Sequence, residues 1–242
     1  MNYKTKKVLA QVSTATISLQ LLKRGIRNAY MRGVAPLGPV VERLVGEAVT
    51  LRFIPMREDL TTPAILADRN NPQRVAIDNM PQGAILVIDA RGVGDCASLG
   101  DILAERIKQC GGSGVVTDGG VRDAAAVMEI GLPIFAAGPA APASLAAHTP
   151  IDRDLPIGCG GVAVVPGDIL VGDGDGVVVI PKNLLVKIPS NLDPMFASTG
   201  TLGSIALHGV RRADLKLGEF GVVYGCGLVG LIAIQILKAS GI

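Results

Sequence analysis

GDILAERIKQCGGSGVVTDGGVRDAAAVMEIGLPIFAAG, running from Gly100 to Gly138, is the stretch whose reading decides the fold. Ser98 or Gly100 opens a helix that runs to Cys110 and stops at Gly111-Gly112, because glycine readily takes the left-handed backbone that ends helices. Val115-Val116-Thr117 is a short buried strand bounded by glycine. Asp118-Gly119-Gly120 has turn chemistry, Arg122-Asp123 stand at the start of the next helix, and Leu132 to Ala137 is another strand. Helix, strand, loop, helix, strand is the order of an α/β layer. Ligands in such layers collect beyond strand carboxyl ends, near helix N-termini whose N–H groups attract anions.

Outward from this stretch, ILVIDA at 85–90 is a buried strand and LVGEAVTLRFI at 44–54 another, followed by a loop from Pro55 to Thr62. Residues 63–80 read as a helix with Pro63 in its first turn. Residues 8–30 read as a helix with Leu9, Val12, Ile17 and Leu21 on a broad apolar side. From Val162, GVAVVPGDILVGDGDGVVVIP reads as a β-meander, with Asp173-x-Asp175-Gly176 a hairpin turn rather than the calcium loop it partly matches. GDIL occurs at 100 and 167, opening a helix once and a strand once, so it marks no repeat.

The 242 residues are 49% hydrophobic but 3% aromatic, with 31 glycines and no Trp, so the core is built from Val, Ile, Leu and Ala. A net charge of +2, with no aromatic residues interleaved among basic ones, argues against a nucleic-acid partner. Cys96, Cys110, Cys159 and Cys226 form no CxxC pair, which fits a reducing cytosol. No acidic residue precedes Glu42, a faint likeness to a mitochondrial transit sequence; an exposed basic helix near a subunit edge is the plainer reading.

Residue types at 100–123 suit a small oxo-acid. The N–H groups of Ile102, Leu103 and Ala104 at a helix start can hold its carboxylate, and Arg122 can fork onto its carbonyl or enolate oxygen. Asp123 can carry Mg²⁺ or Mn²⁺, which prefer oxygen ligands and keep several waters. Lys108 lies away from the loop, so a Schiff-base lysine is lacking and the metal route is favoured. The plain alternative is that Arg122 and Asp123 cap a helix and form a surface pair. Asp101 is either a base acting through water or a helix N-terminal charge. His148 and Cys159 read as structural, the latter as a small buried residue.

GDILAERIKQCGGSGVVTDGGVRD resembles the signature of the RraA-like family, the regulators of ribonuclease activity A and the 4-hydroxy-4-methyl-2-oxoglutarate aldolases. STATIS at 13–18, GPAAPAS at 138–144 and PIGCGGVAVVPGDILVGDGDGVVVIP at 156–181 extend the resemblance over roughly residues 8–182. It implies a swivelling β/β/α domain over 1–182, ring-shaped trimers or stacked hexamers, and metal-dependent retro-aldol cleavage that releases pyruvate, with oxaloacetate decarboxylation alongside. It also implies a nuclease partner. Gly100, Asp101, Ile102 and Leu103 match the family's substrate-binding segment, Arg122 its substrate arginine and Asp123 its metal ligand. The family pattern continues with an acidic residue three positions after that Asp, where this chain has Ala126, and Glu129 is nearly a turn further on.

Residues 183–242 resemble a truncated piece of the medium-chain alcohol and sugar dehydrogenases. FGVVY at 220–224 reads as a strand, Gly225-Cys226-Gly227-Leu228-Val229-Gly230 fits GxGxxG, and a helix follows to Ser240. The ribose-binding carboxylate expected about twenty residues on is missing, so a nucleotide site is not expected. Phe220 to Leu237 is uncharged and near spanning length, but its four glycines and strand-like start favour strand and helix over a membrane anchor.

Overall fold

The computed structural model describes residues 3–59, 61–184, 200–216 and 218–242. They fall into two compact units, Met1–Leu185 and Val186–Ile242. The first is an α/β domain of the class expected.

Its main sheet has eight strands. Strands β1 (Ala35–Pro36), β2 (Leu44–Pro55), β3 (Ile85–Asp89), β5 (Gly114–Thr117), β7 (Ile134–Ala136), β12 (Ile169–Asp173) and β13 (Gly176–Ile180) lie in the order β1-β7-β5-β3-β2-β12-β13. β9 (His148–Arg153) also pairs with β2. β2, β3, β5 and β7 run parallel, which requires crossovers; helices α4 (Asp101–Gln109) and α5 (Ala124–Ile130) supply two of them. Along β3 the side chains alternate. Leu86 and Ile88 join a core with Ala104 and Ile107 of α4 and Val127 of α5, while Ile85 and Val87 join a second core with Phe135, Val164 and Leu170. Both faces are covered, so ILVID carries no polar alternation.

A second, three-stranded parallel sheet, β4-β6-β8, is made of β4 (Ala97–Leu99), β6 (Gly120–Val121) and β8 (Gly138–Pro139). Each follows a parallel strand of the main sheet in the chain, and β4 and β6 lead directly into α4 and α5. This small sheet positions the loops considered below.

Several sequence expectations change here. The helix expected over 8–30 is two helices, α1 (Tyr3–Leu9) and α2 (Thr14–Lys23). The break falls where the Ser13 side chain accepts the Thr16 N–H and caps α2, and Gly25 at φ +85° follows its end. The helix expected over 63–80 is a short 3₁₀ turn, Pro63–Leu66, and α3 (Pro72–Asp78). Asn71 caps α3 by accepting the Gln73 N–H, and Pro72 sits at its first position. The expected meander is two hairpins: β11 (Val162–Val164) pairs back onto β10 (Ile157–Cys159), not onto β12. The β12–β13 hairpin turns at Asp173 to Gly176 as expected, and Asp173 accepts bonds from the Thr14 backbone and hydroxyl, anchoring α2. Leu60, inside the expected 55–62 loop, is outside the described residues.

The second unit contains α6 (Gly200–Arg212) and α7 (Leu228–Ala239). The strand expected at 220–224 does not form, and Phe220, Val222 and Tyr224 are exposed. A lone strand leaves its backbone groups without a ladder, and the described residues of this unit offer no second strand. In the turn before α7, Gly225 has φ +103°, and a Cβ on Gly230 would lie 2.0 Å from the Gly225 carbonyl oxygen. Among the described residues, no helix is long and apolar enough to cross a membrane.

Candidate active site

β4 and β6 are parallel neighbours with Leu99 opposite Val121, and the Arg122 N–H donates to the Leu99 carbonyl at 3.0 Å. The next residue of each strand is therefore a neighbour too. Gly100, extended at φ −138° and ψ −173°, begins α4, and the Arg122 side chain lies across it. A Cβ on Gly100 would come within 2.9 Å of Arg122 Cγ. Glycine is needed there for space rather than for its backbone angles.

A cleft of about 280 Å³ opens at this junction. It brings together Gly100, Asp101, Ile102, Leu103 and Arg122, five of the residues singled out from the sequence. It also takes in Asn71, Gln73 and Arg74 of the α3 start, Ser98, and Ser144, which sequence reasoning missed. The Asn71-Pro72 pair, a capping residue before a first-turn proline, was the available signal for that wall. The volume lies just below the range of drug-sized pockets and suits a small metabolite.

The helix-start donors are distributed differently from expectation. The Ile102 N–H donates to the Asp101 side chain at 2.8 Å, and the Ala104 N–H makes the first helical bond, to the Gly100 carbonyl, at 3.0 Å. Ala104 thus drops out of the anion cradle, because a fourth helical residue already finds its partner within the helix. Leu103, still in the first turn, keeps an outward N–H, and Ile102 offers one only if Asp101 turns away.

Arg122 Nε donates to Asp123 Oδ2 at 2.8 Å, and both side chains are roughly half exposed. That carboxylate raises the Arg122 pKa further, so its charge is fixed. Asp123 occupies the position before α5 with φ 55° and ψ 37°, yet its side chain makes no capping bond. A non-glycine residue held in the left-handed region is a strained feature of the kind that gathers at functional sites. The pair seen in the plain alternative is present; the capping is not.

Ala126 and Glu129 are exposed on α5, and no group of three His, Cys, Asp or Glu among the described residues could hold a metal. The donor set is the Asp123 carboxylate alone, which is paired with Arg122 and is not among the residues that line the cleft. A single carboxylate can hold Mg²⁺ only where waters and substrate oxygens complete the coordination, and it cannot enclose the ion. Lys108 Nζ is turned to the Ile130 carbonyl at 2.5 Å, away from the cleft.

His148 is fully buried against Phe53, with ring centroids 4.8 Å apart, and burial lowers its pKa. Cys159 is buried too, and burial pushes its thiol well up. Asp118 was read only as a turn residue. It accepts the Ala90 N–H at 2.7 Å and the Gly160 N–H at 3.3 Å, joining the ends of β3, β5 and β10, and burial raises its pKa, with the Asp89 charge adding to the shift.

Comparison with known proteins identifies the family and the fold. The RraA-like family model, described as Aldolase/RraA, matches residues 10–179. A protein of Halalkalibacterium halodurans named "Putative 4-hydroxy-4-methyl-2-oxoglutarate aldolase" is 46% identical over 103 residues, 41% of this chain and 47% of that protein. The chain spans less than half the length of the curated relatives it matches. Among solved structures, Streptomyces coelicolor RraAS2, described as an unusual member of the RNase ES inhibitor RraA protein family, superposes with a TM-score of 0.66 at 36% identity, covering 76% of this chain and 87% of that one. The RNA-processing inhibitor RraA from Thermus thermophilis gives 0.51 at 26% identity, covering 72% and 95%.

Proposed function

Because the chain belongs to the RraA-like family, we propose that it is a pyruvate-aldolase-type lyase that cleaves 4-hydroxy-4-methyl-2-oxoglutarate and related oxo-acids, with oxaloacetate decarboxylation as a side activity. The observation that carries the reading is the β4–β6 register, which sets the Arg122 guanidinium over Gly100 beside the first turn of α4.

In this reading the substrate carboxylate rests on the outward N–H groups at the start of α4, and Arg122 forks onto the neighbouring carbonyl oxygen. When the carbon–carbon bond breaks, its electron pair moves toward that oxygen as an enolate. Arg122 is already positioned and charged, so it stabilises the new negative charge without rearranging. Asp123 holds Arg122 in place through the 2.8 Å bond. Asp101 takes the hydroxyl proton through a water, the second product leaves as a 2-oxo acid, and protonation at carbon turns the enolate into pyruvate. Asp123 is also the residue that would hold Mg²⁺ or Mn²⁺; when bound, the ion supplies Lewis-acid stabilisation worth several kcal/mol. Family resemblance favours a homotrimer or hexamer.

The test is pyruvate release from 4-hydroxy-4-methyl-2-oxoglutarate with Mg²⁺ and then with EDTA. Turnover should vanish with chelation and fall at least about a hundredfold in Asp123→Ala, the scale of losing several kcal/mol of charge stabilisation. Chelation-insensitive turnover, or unchanged turnover in the variant, would remove the metal from the mechanism.

The two RraA neighbours support a second reading, a protein that inhibits an RNA-processing nuclease by contact. A complex with such a nuclease that survives Arg122→Ala is its expected signature, and a failed pull-down counts against it.

A further inference from the structure

We propose that residues 220–224 pair antiparallel with the same segment of a second copy of this chain, completing across a two-fold axis the strand that one copy cannot form alone. FGVVY has the apolar composition and short length of a strand. Its inward residues rest on the rest of the second unit: a Cβ on Gly221 would lie 3.1 Å from Leu215 and 3.3 Å from Leu237 of α7, and one on Gly230 would lie 3.5 Å from half-buried Val223. Its outward residues are bare, with Phe220 96%, Val222 94% and Tyr224 104% exposed. Among the described residues, no backbone N–H or carbonyl of 220–224 makes a hydrogen bond. A segment with alternate residues packed and its backbone edges open is a template for another strand.

The chemistry of the segment selects the occupant. A helix cannot satisfy a strand edge, and a bilayer would leave the same backbone groups without partners. The edge calls for a strand of matching alternation. FGVVY is symmetric about Val222, with an aromatic residue two positions to either side. An antiparallel pairing centred on Val222 sets Val222 against Val222, Phe220 against Tyr224 on the outward face, and Gly221 against Val223 on the inward face. Aromatic and β-branched cross-strand pairs of this kind stabilise sheets. No like charges meet: residues 220–237 are uncharged, and Glu219, next to the segment, falls opposite Gly225. The contact uses the same edge of both copies, so it is isologous and joins two chains. A two-stranded ribbon alone is marginal in water, but each strand of this one is backed by Leu215 and Leu237 of its own copy.

The test places single cysteines in the full chain with the exposed Cys226 changed to Ser, and reads covalent dimer on a denaturing, non-reducing gel after mild oxidation. That readout is independent of any assembly made by the first unit and of any enzymatic activity. Directly opposite residues of an antiparallel pair have Cα atoms about 4.5–5.5 Å apart, within the span of a disulfide. Val222→Cys should therefore become mostly covalent dimer. Tyr224→Cys should stay monomeric, because its own copy lies four residues along the ribbon, roughly 13 Å away. Combining Phe220→Cys with Tyr224→Cys should restore the dimer. In the otherwise unaltered chain, hydrogen exchange at 220–224 should slow as protein concentration rises, and Val222→Lys, which sets two like charges opposite each other, should abolish that slowing. No dimer from Val222→Cys, or equal crosslinking of both single variants, would overturn the pairing. Retention on lipid vesicles without covalent dimer would assign the surface to a membrane and overturn it as well.

Discussion

Adding one methyl group at Gly100 separates the position of Arg122 from its presence. The backbone of Gly100 is extended, so alanine meets no conformational penalty there. Its Cβ would sit 2.9 Å from Arg122 Cγ and 3.3 Å from Cδ and Nε. Ordinary carbon contacts begin near 3.5 Å, so Arg122 must retreat by roughly 0.5–1 Å. Because Cγ lies near the root of the side chain, the whole guanidinium moves with it. Arg122 is half exposed and yields into solvent, which keeps the stability change of Gly100→Ala within about 1 kcal/mol. Catalysis has no such tolerance: a displacement of this size costs about 10²-fold in rate, or about 2.7 kcal/mol of transition-state stabilisation. The assay is kcat/KM for pyruvate release beside thermal unfolding, measured for Gly100→Ala, Arg122→Ala and the double variant. If Gly100→Ala works through Arg122, the double variant is no worse than Arg122→Ala, since the two changes remove one interaction. Full activity in Gly100→Ala, or strictly additive losses, would refute the claim that Arg122 geometry carries the reaction.

Two further predictions follow from the surrounding structure. Gln73→Ala leaves the Ser98 carbonyl without its 2.7 Å donor, so chemical denaturation should show a loss of about 1–3 kcal/mol, and the KM for 4-hydroxy-4-methyl-2-oxoglutarate should rise as the α3 wall loosens. His148 has a pKa lowered by burial, so below the unfolded value of about 6.5 the unfolded chain binds more protons than the folded one. Its contribution to stability is therefore complete above that pH and declines as pH falls from there toward the lowered folded value. Melting temperatures should show this decline in wild type and not in His148→Phe, and equal slopes for the two proteins would assign the acid sensitivity to other groups.

What could be read from the sequence, and what could not, divides along the range of the forces involved. ILVID and GVVT were legible because both faces of each strand are buried, which leaves a continuous apolar run. The α4 helix was legible from Gly100 to its end because glycines bracket it. The strand expected at 220–224 was misread because its apolar run is a local signal, whereas a strand exists only with a partner. The break in 8–30 was hidden because apolar spacing continues through it while the Ser13 cap restarts the helix.

The candidate site itself lay at the edge of legibility. Its residues stood out, but the element that joins them did not: β6 is two residues long, too short for any periodicity to show. Gly119 and Gly120 were read as turn formers, yet neither has a positive φ. Their role is close packing. A Cβ on Gly119 would lie 2.5 Å from Ala90 Cβ, and one on Gly120 would lie 2.5 Å from Ala140 Cβ and 2.7 Å from the Gly94 carbonyl oxygen. Only bare backbone lets β6 lie between β4 and β8, and only that position puts Arg122 beside Gly100. The glycines before Arg122 are therefore part of the same device as the glycine beneath it: together they remove side chains along a path that ends at the guanidinium. A local reading sees three glycines and an arginine, and the parallel register of a three-stranded sheet brings them to one cleft.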